Sequence, residues 1–179
     1  MRGYLFIALA IIMLACCMGA VIKQLNAPVP ENVNIVSPDP SLPDELKALS
    51  GKWVGSWNSR WGWDCVLYVE KVDQNSAQVV HAWGEYTTHK QSCHCIPNWT
   101  RVEKTKLSYS NGKAVIEFKS RPYHKMSEDM HDVSGSVRED AKHYYTFSFT
   151  VDKDKPDMMK GHFISGKGSL LDTVLKKAH

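Results

Sequence analysis

Fifteen residues from Leu49 to Trp63, LSGKWVGSWNSRWGW, hold four of the six tryptophans of this 179-residue chain, interleaved with Gly51, Gly55 and Gly62. A helix would align Trp53 with Trp57 at i, i+4. The glycines and Val54 are poor helix material, however, and tryptophan favours strands. In a strand, side chains alternate between faces, so Trp53, Gly55 and Trp57 share one face and two indoles flank the gap left by a glycine. The stretch therefore predicts a first β-strand whose inner face is plugged by indole rings.

Beyond Trp63 the chain repeats one theme, a short run of β-type residues and then a polar break, which is the rhythm of an all-β sandwich or barrel. Trp63 to Val72 and Ala77 to Trp83 read as a hairpin about Asp73-Gln74-Asn75-Ser76. Trp99 to Tyr109 pairs with Lys113 to Lys119 across Ser110-Asn111-Gly112, because Asn-Gly supplies the positive φ angles of a tight hairpin turn. Ala114, Ile116 and Phe118 then point inward. Met130 to Arg138 is a further strand. In Tyr144 to Val151 the residues Tyr145, Phe147, Phe149 and Val151 alternate with Tyr144, Thr146, Ser148 and Thr150, giving one buried and one wet face. Residues 152 to 157 read as a turn, and Met158 to Ile164 with Leu170 to Leu175 as the last pair. The whole predicts an antiparallel up-and-down barrel of roughly eight to nine strands, with no long crossover and no edges left to aggregate.

Ahead of this domain, taken as 44–179, lie two segments of different character. Tyr4 to Ile22 has no charged residue and, at about 19 residues, is near the length a helix needs to cross a bilayer. It serves as an anchor or as an export signal, within a segment taken as 1–25. Residues 26–43 carry Pro28, Pro30, Pro38, Pro40 and Pro43 and predict a semi-extended spacer that does not pack. Asp44 to Leu49 reads as one short helix, with proline before it, carboxylates in its first turn and Gly51 after it. The net charge of +3, with both signs mixed along the chain, leaves no basic stripe and excludes a nucleic-acid-binding surface.

Two resemblances arise from these residues. Leu14-Ala15-Cys16-Cys17 resembles a bacterial lipobox, which implies lipidation at Cys16 or Cys17. A retained membrane helix and a cleaved signal stand beside that reading. Leu49-Ser50-Gly51-Lys52-Trp53 is similar to the G-x-W motif of lipocalins and the wider calycin superfamily. There the tryptophan plugs the closed end of the barrel and an arginine near the last strand packs on it, an arginine that this chain lacks and for which Lys176 or Lys177 are approximate substitutes. The resemblance implies a structural role for Trp53.

No catalytic motif is present: there is no G-x-S-x-G, no H-E-x-x-H, and Gly161 to Gly168 lacks the ending and the context of a phosphate loop. No cofactor is expected. Cys93-His94-Cys95 has the residue types of a metal site, with Cys65 or His81 able to complete it. In an oxidising compartment the same residues predict instead a disulfide from Cys65 to Cys93 or Cys95, closing a loop of about 30 residues. The aromatic residues offer a binding face, with Trp57, Trp61, Tyr145, Phe147 and Phe149 as the contact set for a small apolar ligand. Three functions are thereby in view. One is a non-enzymatic, membrane-tethered barrel that binds such a ligand on the periplasmic or extracellular side. The second is an interaction subunit of an envelope assembly, its barrel filled solid. The third is a metal-handling protein built on the Cys and His cluster.

Overall fold

The computed structural model describes residues 27–58, 64–84, 98–120, 145–164 and 170–178. One helix, α1 (Asp44–Leu49), precedes nine strands: β1 (Gly51–Trp57), β2 (Asp64–Val72), β3 (Ala77–Trp83), β4 (Asn98–Val102), β5 (Lys106–Ser110), β6 (Lys113–Ser120), β7 (Tyr145–Asp152), β8 (Lys155–Ile164) and β9 (Leu170–Ala178). They form a single curled antiparallel sheet in the order β4-β3-β2-β1-β9-β8-β7-β6-β5. Every neighbour in chain order pairs except β4 with β5, and the first strand pairs with the last, so the sheet wraps through the β1–β9 contact.

Strand alternation decides what lies inside the curl. Trp53 and Trp57 on β1, Cys65, Leu67 and Val69 on β2, Ile116 and Phe118 on β6, Phe147 and Phe149 on β7, and Met159 and Phe163 on β8 are all buried in one core. Gly55, between the two indoles, is where β9 comes closest. A Cβ there would stand 2.5 Å from the Val174 carbonyl oxygen and 2.9 Å from the Leu175 side chain, so Leu175 fills the gap expected beside the indoles. The Asn-Gly turn forms as expected, with Asn111 at φ 51° and Gly112 at φ 72°.

One end of the sheet is stoppered. Helix α1 contacts β2, β6, β7 and β8 and inserts Leu46 and Leu49, both fully buried. Trp53 lies directly beneath, its indole Nε1 donating to the Leu49 carbonyl at 2.8 Å. Lys177 on β9 packs there too: its Nζ lies 5.1 Å from the Trp53 ring centroid and donates to the Ala48 carbonyl at 2.8 Å. At the opposite end are Trp57, Cys65, Trp83, Ser120 and Tyr145.

Three expectations are corrected. The predicted strand Trp99 to Tyr109 breaks at Glu103-Lys104-Thr105 into β4, which pairs with β3, and β5, which pairs with β6. The turn at 152–157 shrinks to Lys153-Asp154, because Lys155 already pairs with Asp152. The proline-rich segment is not an unpacked spacer throughout. Leu42 is buried, and Asn34 and Val36 donate their backbone N–H groups to Glu70, at 3.0 Å to Oε1 and 2.8 Å to the carbonyl. The cause is a β-bulge at Glu70, where the β2–β3 register slips between Val69 and Lys71. A bulged residue is left unpaired in the ladder. The Glu70 carboxylate keeps the outward phase of Val66 and Tyr68, and on the outer face Arg101 Nε at 3.1 Å, Arg101 Nη2 at 3.2 Å and Gln78 Nε2 at 3.2 Å donate to it. The predicted strand at Met130 to Arg138 and the segment 1–25 lie outside the described residues, among which no helix is long and apolar enough to cross a membrane.

Candidate binding face

Four of the five expected ligand contacts converge on the inner face. The Trp57 ring lies 5.9 Å from Phe147, 5.9 Å from Phe149 and 6.0 Å from Phe163. Tyr145 stacks on Phe163 at 4.9 Å. Trp61 lies outside the described residues. The register explains the convergence: Phe147 pairs with Phe163 and Phe118, and Phe149 pairs with Gly161 and Ile116. Gly161 is what lets the Phe149 ring lie flat against the sheet, since a Cβ there would stand 2.7 Å from Cε1 of that ring and 2.5 Å from Thr173 Cγ2.

Within this aromatic set sits a polar pair that no sequence motif marks as a unit. His81 on β3, 1% exposed, has its Nε2 3.6 Å from Cys65 Sγ on β2. Its ring is enclosed by Phe147 at 4.6 Å, Trp83 at 5.6 Å and Phe118 at 5.8 Å. Burial holds the imidazole neutral, with its pKa pulled down to about 3. Burial, with the Asp64 carboxylate as a lesser cause, pushes the Cys65 thiol well above the ordinary thiol range. A thiol in that state is neither a nucleophile nor a ready metal ligand.

The expected bridge from Cys65 is not formed. Cys65 is a free, buried thiol facing the core, because it shares the inward phase of Leu67 and Val69 rather than the outward phase of Val66 and Tyr68. Cys93, His94 and Cys95, Cys16 and Cys17, and the histidines at 89, 124, 131 and 143 lie outside the described residues. Among the described residues no group of His, Cys, Asp and Glu is arranged to hold a metal ion. His162, on the outer face, pairs with Asp172 at 2.6 Å.

Trp57, Tyr145, Phe147 and Phe149 are legible in the sequence as members of this face and Phe118 as an inward residue, whereas His81, Phe163 and Ser120 join it only in the structure. A signal for His81 exists: in AQVVHAW the alternation puts Ala77, Val79, His81 and Trp83 on one face. Comparison with protein-family models, with curated proteins and with solved structures returned no match.

Proposed function

We propose that the chain is a membrane-tethered, calycin-like β-barrel that binds a small apolar ligand on the aromatic inner face of its sheet and carries out no catalysis of its own. The observation that carries this reading is the convergence of Trp57, Tyr145, Phe147 and Phe149, from two strands far apart in sequence, on the inner face of the curled sheet, where Trp57, Phe147 and Phe149 are buried. Apolar walls with few polar groups are the usual make-up of a small-molecule site.

Closure into a barrel is supported by the edge strands. β4 and β5 follow one another in the chain, and across the break Thr105 N donates to the Ala77 carbonyl at 2.9 Å and Leu107 N to the Asn75 carbonyl at 3.3 Å. Treated as the two halves of one bent strand, they complete a ring of about eight antiparallel strands, the size that encloses one small ligand. The calycin-like reading is further supported by the G-x-W tryptophan capped by Lys177. The uncharged run from Tyr4 to Ile22 supports the membrane tether and a domain outside the cytoplasm.

A second reading, an interaction subunit of an envelope assembly, draws on the outer face of β8 and β9, where Met158, Ile164 and Val174 are exposed. A native mass spectrum of the full-length chain extracted in detergent separates the two. Binding predicts a retained adduct that unfolding releases. A bare polypeptide that also fails to take up an apolar fluorophore would overturn the first reading in favour of the second. The same spectrum reports any lipid on Cys16 or Cys17.

A further inference from the structure

Two buried side-chain atoms among the described residues have no hydrogen-bond partner, His81 Nδ1 and Ser120 Oγ. They are not scattered. Both residues point into the core near the end remote from α1, on either side of Phe118. The His81 ring lies 5.8 Å from that of Phe118, and Ser120 follows Phe118 by one full period of the same strand face. Buried polar groups are nearly always paired, and an unpaired one in an apolar setting calls for a partner.

Cys65 remains a thiol, whose S–H has His81 Nε2 as a partner 3.6 Å away. With Nε2 accepting and the ring neutral, the imidazole proton sits on Nδ1. His81 Nδ1 then carries an N–H with nothing to accept from it.

We propose that His81 and Ser120 form the polar end of the binding face, and that the molecule it takes is uncharged, with an aromatic or aliphatic body and an oxygen that accepts from His81 Nδ1. This rests on the reading that the inner face holds a ligand, and it adds the chemical class. Charge is excluded by the surroundings: the donor is enclosed by Trp83, Phe118 and Phe147. The one cationic side chain described on the inner face, Lys177, lies at the α1 end and is engaged with Ala48 and Trp53. An ionised headgroup would lose its hydration there and gain no counter-ion.

The test uses three probes of one size on the full-length protein in detergent: 2-acetylnaphthalene, 2-ethylnaphthalene and 2-naphthoate, followed by quenching of tryptophan fluorescence. The ketone is expected to bind at least about tenfold more tightly than the hydrocarbon, about what one hydrogen bond to a buried donor contributes, and more tightly than the carboxylate. In His81→Phe that advantage should vanish while the hydrocarbon affinity stays within about twofold. Should the His81→Phe chain fail to fold, long-range proton–nitrogen spectra of the wild type serve instead, with the His81 Nδ1–H signal moving on addition of the ketone and not of the hydrocarbon. Equal binding of ketone and hydrocarbon, or tightest binding of the carboxylate, overturns the assignment of His81 but leaves apolar binding standing. Failure of all three probes to bind overturns both.

Discussion

The Glu70–Arg101 clamp lets one substitution test why the segment before the domain lies on the sheet. The Glu70 side chain is 4% exposed and that of Arg101 20%. The carboxylate accepts from Arg101 Nε and Nη2, Gln78 Nε2 and Asn34 N. Arg101 also donates through Nη2 to the Asn32 carbonyl at 3.0 Å, so one guanidinium joins β2, β4 and residues 32–36. Arg101→Met keeps the stem and removes the charge, leaving a buried carboxylate with two neutral donors. If nothing moved, breaking a buried ion pair would cost roughly 3–5 kcal/mol. Among the described residues the short segment 32–36 lies against the carboxylate, so peeling it away readmits water and limits the loss. We expect roughly 2–3 kcal/mol, a fall in Tm of roughly 5–10 °C for a domain of this size. Unfolding followed by circular dichroism gives the first quantity, and hydrogen exchange at the Val36 amide reports the peeling. Adding Glu70→Gln should recover part of the loss, since a neutral amide costs less to bury than an unpaired charge. A Tm drop under about 2 °C with unchanged Val36 protection would refute the reasoning and make the pair an incidental surface contact.

Other consequences are equally direct. Gly161→Val forces a branched side chain into the space held by Thr173 and the Phe149 ring. It should cost about 1–3 kcal/mol by overpacking in urea unfolding, with Gly161→Ala near the lower end. Because burial lowers the His81 pKa to about 3, the unfolded chain binds a proton below its ordinary value of 6.5 that the folded chain refuses. Stability is therefore full above that value and is lost as pH falls toward 3, at about 1.4 kcal/mol per pH unit. The difference between wild type and His81→Gln across pH 4 to 7 should show that slope, and parallel curves would contradict it. The buried Cys65 thiol should resist iodoacetamide in the folded protein and react once it is unfolded, as read by mass spectrometry of its peptide. Lys177→Met removes the contact with the Trp53 ring and the hydrogen bond to Ala48. It should cost about 1–2 kcal/mol in the same urea assay.

Local pattern carried most of the strand content. The period-two alternation of Tyr145 to Val151, the Asn111-Gly112 turn and the bounds of α1 are set by neighbours in sequence, and each appears in the structure close to where the residues put it. For the same reason the inward phase of Trp53, Trp57, Phe147 and Phe149 could be read before any fold was known. Phase along a strand is a property of the chain itself.

What could not be read depends on which strands become neighbours. The bulge at Glu70 exists only because β2 must keep register with β3, and it turns an ordinary glutamate into the anchor of the preceding segment. The break at Glu103 to Thr105 reflects a strand passed from one neighbour to another, which no propensity encodes. Cys65 reads as half of a disulfide by compartment and count, yet the pairing of β2 with β3 sets it against His81 inside the core. The sequence by itself determined that this chain makes antiparallel strands with an aromatic inner face, because alternation and turns are local. The tertiary structure alone decided that this face carries a buried histidine with one unpartnered ring nitrogen, because hydrogen-bond partners are chosen across space.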